Sequence, residues 1–194
     1  MTALIRSLCA MVVVSACTVT ARSDDKELAE NPYYKYWSKS KVGASVELKE
    51  TTKTPAVNKG EEAEEDVKLI THKLIELTAE KAVVETVVTE GEIFGFVQSA
   101  PTKHIYPAKM NKDVLEDLLK ETGAKGTEST VKVGDKELKA LLITGTTKKG
   151  DEEVDFKIWL TDEIPGGITR RVRTTKNKGA LVAETTIEVV SYKK

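Results

Sequence analysis

Glu90 and Glu92 stand two residues apart. On an extended chain that spacing puts both carboxylates on one face, about 7 Å apart, a separation that acid–base glycosidase chemistry can use. The chain carries 31 acids, however, so such pairs arise from composition alone, and this one flanks Gly91 where a turn is expected. Nucleophilic chemistry has less to stand on. There is no G-x-S-x-G elbow, and the two histidines, His72 and His104, sit in strand-like runs without an acid at a telling spacing. The ligand patterns H-E-x-x-H, C-x-x-C and D-x-D-x-D-G are absent, and GTTKKGD has an aspartate where a phosphate loop needs its lysine. The reading is therefore non-enzymatic, with no catalytic residue, no metal and no cofactor.

Two other groups of residues suit binding. NPYYKYW, residues 31 to 37, holds four of the ten aromatic side chains, Tyr33, Tyr34, Tyr36 and Trp37. Tyr and Trp join a broad apolar body to a polar tip, which fits them to grip a sugar ring or an acyl chain, or to plug the open end of a sheet. Tyr33, Tyr36 and Trp37, with Trp159 from a later strand, are the expected border of a site for an apolar or amphipathic ligand. The second group is basic: ITRRVRTTKNK brings together Arg170, Arg171 and Arg173, followed by Lys176 and Lys178. It offers contact with an anionic partner, or else a charged edge strand that discourages sheet-to-sheet association.

The elements that must position these residues are mostly strands. In EVDFKIWL, Val154, Phe156, Ile158 and Leu160 alternate with Asp155, Lys157 and Trp159, the period of a half-buried strand. Similar runs predict strands near 42–53, 66–78, 81–92, 95–106, 128–133, 137–147, 153–161, 168–176 and 180–192. Gly134-Asp135, Gly150 and the NKG at 177–179 mark tight turns, and the polar stretch 54–66 a long hairpin loop. NKDVLEDLLKETG alone has helical spacing, with Asn111 as N-cap and Gly123 as stop. Consecutive strands joined by short turns imply an antiparallel meander that curls. Apolar residues on both faces, Val83 and Val87 against Val84 and Val88, and Leu181, Ile187 and Val189 against Val182 and Val190, imply that each face is covered, with the helix and NPYYKYW as the covers.

The first residues and the charge set the compartment. Arg6 precedes an apolar run from Leu8 to Ala16, which reads as an export signal and is shorter than the roughly 20 residues that span a bilayer. Two processing routes remain open: cleavage after Ala21, or the lipobox-like Val14-Ser15-Ala16-Cys17, which would leave Cys17 acylated. The expected product is periplasmic or secreted, lipid-anchored through Cys17 in the alternative, with no later transmembrane span. Both cysteines, Cys9 and Cys17, lie in this segment, so the remaining domain is expected to hold without disulfides. The net charge of −1 gives no field that favours nucleic acid. Residues 1–21 thus read as signal, 22–31 as a flexible leader and 32–194 as one β-rich domain.

NPYYKYW, SAPTKHIYPAK at 99–109 and WLTDEIPGGITRRVRTT at 159–175, taken with the signal, resemble a group of small exported bacterial proteins of unknown function. The strand pattern, the VKVGDKELK hairpin and the WLTDEIPGG corner also look like the LolA/LolB-like class of incomplete antiparallel barrels. That resemblance implies a mainly β fold, a curved half-barrel with one covering α-helix, and a concave face that takes a lipid or a lipoprotein acyl chain. The rival expectation is a structural or protein-interaction domain of the cell envelope whose interior is filled by its own side chains, with an envelope protein as partner.

Overall fold

The computed structural model describes residues 27–56, 62–92 and 95–194, with the backbone alone for Glu92, Gly95, Phe96, Leu118 and Leu119. The signal segment with Cys17, residues 22–26 of the leader and the tip of the 54–66 loop lie outside the described residues. The elements run β1 (Leu28–Glu30), α1 (Pro32–Trp37), β2 (Ser45–Thr54), β3 (Glu64–Leu77), β4 (Lys81–Glu92), β5 (Gly95–Gln98), β6 (Thr102–Pro107), β7 (Lys109–Asn111), α2 (Lys112–Thr122), β8 (Lys125–Val133), β9 (Lys136–Lys149), β10 (Glu152–Leu160), β11 (Ile168–Asn177) and β12 (Ala180–Lys193). The protein is mainly β and its pairings are antiparallel.

The large sheet is not the single meander that the hairpins suggest. Its order is β5-β4-β3-β2-β12-β11-β10-β9-β8, with β6 also on β4, so two meanders are joined where β2 pairs with β12. The sheet does not close into a barrel. β5 with β6 forms one edge and β8 the other, and residues 108–124, including α2, carry the chain between them. The run expected at 95–106 splits at Ser99-Ala100-Pro101 because Pro101 has no N–H for the ladder. Ser99 holds the break by exchanging hydrogen bonds with Val88, at 2.8 and 3.0 Å.

The expected leader also changes near its end. Leu28–Glu30, within the expected leader, pairs with Lys109–Asn111 as a separate two-stranded sheet. Within NPYYKYW, Pro32–Trp37 is a helix. Asn31, buried, takes the N-cap and accepts a bond from the Tyr33 N–H at 3.0 Å, and Pro32 occupies the first turn, where its missing donor costs nothing. α2 keeps its expected bounds, with the Asp113 N–H bound to Asn111 Oδ1 at 2.9 Å and Gly123 at a positive φ. It lies on β9, where a Cβ added to Gly145 would stand 2.8 Å from the Thr122 carbonyl oxygen.

Pairing register sorts the side chains onto two faces, because successive strand residues point to opposite sides. One face carries Val46, Leu48 and Leu74, then Val84, Ala82 and Tyr106, then Ile187, Arg171 and Ile158. Helix α1 packs on this face and Trp37 joins its core, with Val46, Leu48, Leu74, Ala82, Val84 and Ile164. The other face carries Lys49, Glu188, Arg170 and Trp159. The expectation that β12 is covered on both sides is not met, because Leu181, Val182 and Val190 are exposed. Two helices, not one, are present among the described residues, and α1 is the one packed on this core.

Candidate functional site

The covered face grades from apolar to cationic along the strands. At one end Leu74, Val84 and Ala82 are fully buried beneath α1. The middle holds half-buried Ile70, His72, His104 and Tyr106, with Ile187 buried beside them. Tyr33, exposed on α1, stacks on Tyr106 with centroids 5.4 Å apart and rings inclined by 20°. Tyr34 fastens the helix by donating its hydroxyl to the Thr78 carbonyl at 2.8 Å. Towards the other end come Arg171 and Arg173, each half-buried.

These groups feel one another. Burial first, then the nearby His104 and Arg171, lower the His72 imidazole to a pKa of about 4, and its Nδ1 is 2.7 Å from the Thr86 hydroxyl. Burial also lowers the Arg171 pKa; Arg173 adds to the shift, while Glu50 and Tyr33 oppose it. The Tyr106 hydroxyl is pushed up, by burial and then by Tyr33. Arg173 Nε is buried and has no hydrogen-bond partner among the described residues.

His72 makes folding sensitive to acid. Its folded pKa is depressed from 6.5 to about 4, so between those values the unfolded chain takes up a proton that the folded chain refuses. Stability from this residue is complete above pH 6.5 and is lost as pH falls towards about 4. Discounted for the water that still reaches the ring, the loss is on the order of 1–2 kcal/mol. Urea midpoints at pH 7 and pH 4.5 are expected to differ by less in His72→Gln than in the wild type. An equal difference would mean that the ring titrates normally.

The residues singled out in the sequence do not form one border. Tyr33 reaches the covered face. Trp37 is 4% exposed and belongs to the core, and Tyr36 lies half-buried against Gly167, its hydroxyl pKa raised by burial and by Asp162. Trp159 is on the opposite face, beneath the Arg170 guanidinium at 5.4 Å from the ring centroid. The basic trio is divided in the same way: Arg170 is exposed and meets Glu188 at 3.2 Å, while Arg171 and Arg173 turn to the covered face. Strand parity was the signal for that division, although parity alone does not say which side is covered.

Glu90 is bound to Lys68 at 2.9 Å and Glu92 is described by its backbone alone, so no carboxylate pair is displayed. Among the described residues no group of three or more His, Cys, Asp or Glu could hold a metal, and no helix is long and apolar enough to cross a membrane. On the face opposite the arginine pair, an open groove of about 870 Å³ near the end of α2 is lined by Thr146, Asp155, Thr174 and Lys176 among others. Its charges are already matched, Asp155 taking the Lys176 ammonium at 2.8 Å and the Thr146 hydroxyl at 2.7 Å.

No protein-family model and no curated protein matches the chain. Among solved structures it is similar to PNGF-II in a C2 space group, at 12% identity and a TM-score of 0.31. The match covers 78% of this chain and 28% of that one, and is too loose to carry an argument about fold or activity.

Proposed function

We propose that this chain is a non-catalytic binding protein working outside the cytoplasm, periplasmic or secreted, and that it takes an amphipathic ligand such as a lipid or an acyl chain on its α1-covered face. The carrying observation is the grading of that face, from buried Leu74, Val84 and Ala82 through the Tyr33–Tyr106 stack to Arg171 and Arg173. Apolar and charged ends on one surface match a molecule with the same division. The half-barrel, LolA/LolB-like reading has support in the approach of β8 and β11. They come within 8 Å although β9 and β10 lie between them, whereas a flat sheet would hold them about 14 Å apart. Cleavage after Ala21 and acylation of Cys17 remain the two ways to deliver the domain.

The engagement of Glu90 by Lys68 supports leaving catalysis out. A second reading, a structural or protein-interaction domain of the cell envelope, draws on Trp37, because the aromatic segment spends its largest ring on the protein's own core. Titration with the fluorescent fatty acid 11-(dansylamino)undecanoic acid separates the two. Binding is expected to enhance its emission, to be reversed by dodecanoate and to weaken about 5-fold in Tyr33→Ala, which removes one ring of the stack. No enhancement, or enhancement indifferent to Tyr33→Ala, would overturn the ligand reading.

A further inference from the structure

We infer that Arg171 and Arg173 form a receptor for one oxyanion, a carboxylate or a phosphate, on the covered face. This deepens the reading above, from which it takes the face, and its charge argument stands on separate observations. The two guanidinium groups rise from the same side of β11, so their Cα atoms are about 7 Å apart. Several other cations on the strands have acids in reach: Arg170 has Glu188, Lys68 has Glu90 and Asp66, and Lys176 has Asp155 and Glu153. Neither Arg171 nor Arg173 has an ion pair among the described residues, and Arg173 Nε is buried without a partner.

The neighbours supply only part of the missing charge: Glu50 acts on Arg171 through space without forming an ion pair with it. On the Arg171 row the next residues are Ile158 on one side and Ile187 on the other, and Glu50 stands two strands away beyond Ile187. On the Arg173 row they are Phe156 and Thr185, the latter bonded through its hydroxyl to Thr52 at 3.1 Å. Two like charges held side by side in a half-buried surface repel each other and lose hydration, a cost that an anion bound between them removes. Guanidinium forks suit the paired oxygens of a carboxylate or phosphate better than an ammonium does. Tyr33 is close enough to couple electrostatically with Arg171, so an anion here lies at the foot of the tyrosine stack.

The test uses the full chain, calorimetric titration with sodium phosphate, dodecyl phosphate and the neutral dodecyl maltoside, and sodium chloride at matched ionic strength as reference. Dodecyl phosphate is expected to bind, and Arg171→Gln or Arg173→Gln to weaken it about 10-fold, as loss of a charge-assisted bidentate contact should. Arg170→Gln, on the opposite face, is expected to change it less than about 2-fold, the scale of a surface charge. Phosphate is also expected to raise the melting temperature of the wild type, and not of the double variant Arg171→Gln/Arg173→Gln. A purely structural pair would not produce that difference, and Arg173→Met gives a second variant should glutamine disturb folding.

The outcomes separate the two ideas. Phosphate held through the arginines without preference for dodecyl phosphate would support the oxyanion receptor and sink the amphipathic ligand. Both amphiphiles bound alike, with no response to Arg171→Gln or Arg173→Gln, would sink the receptor and leave the amphipathic ligand standing. Equal weakening by Arg170→Gln, or no binding of phosphate or dodecyl phosphate, would overturn the receptor.

Discussion

Trp37→Ala is expected to lower the stability of this protein by about 3–5 kcal/mol, the range for deleting a large buried aromatic side chain. The ring is 4% exposed and packs in one cluster with Val46, Leu48, Leu74, Ala82, Val84 and Ile164, bridging α1, the N-terminal meander and the corner between β10 and β11. Residues so spread cannot close over the space together, because they belong to strands held in register by their own ladders, so a cavity remains. Small domains are stable by roughly 5–15 kcal/mol, and this single change therefore consumes a large share. Urea denaturation followed by far-UV circular dichroism measures it. Trp37→Phe, which keeps a ring in place, is expected to lose less than half as much. A loss below about 1 kcal/mol for the alanine variant would mean that α1 is not anchored through this residue.

The same variant links stability to function. With Trp37 gone, α1 keeps the Tyr34 hydroxyl bond and the Asn31 cap but loses its main burial, so the Tyr33–Tyr106 stack should loosen before the sheet does. The covered face would then lose its middle while Arg171 and Arg173, set by β11, stay in place. Ligand contact by the apolar part and by the charged part is in this way divided between a small, removable helix and a long strand.

How much of this was legible in the sequence follows from what alternation can carry. EVDFKIWL is β10 within a residue of the expected bounds, and its Phe156 and Ile158 share a face as the pattern requires. The turn at Gly134, the helix from Asn111 to Gly123 and the split of Arg170 from Arg171 and Arg173 all follow from local rules. Strand order does not. Nothing in SVELKETTKT says that its neighbour is ALVAETTIEVVSYK, more than a hundred residues later, because a pattern of period two marks a face and not a partner. For the same reason the alternation in ITRRVRTT does not say which side is covered, and it is the side of Arg171 on which α1 packs. Helix α1 was hidden by its length: six residues rich in Tyr and Trp carry little intrinsic helical preference, and its formation rests on the Asn31 cap and on the burial of Trp37.

The corner that receives α1 gives the second large effect. Gly167 has φ of +81°, and a Cβ built on it would run into the Tyr36 ring at Cγ and Cδ1. Gly167→Ala therefore combines two penalties, about 1–2 kcal/mol for a side chain in the left-handed region and about 1–3 kcal/mol for overpacking, so a loss of about 2–5 kcal/mol is expected. Gly43 separates the two contributions: its φ is +94° and nothing lies within 4 Å of its added Cβ, so Gly43→Ala should show the backbone cost alone. The contact part should be recovered when Gly167→Ala is combined with Tyr36→Ala, a favourable coupling of about 1 kcal/mol or more in a double-mutant cycle. If Gly167→Ala and Gly43→Ala cost the same and the cycle shows no coupling, Tyr36 does not press on the corner. Tyr36 would then have to be reassigned from the packed corner to the surface, while Trp37, 4% exposed, still holds the segment to the core.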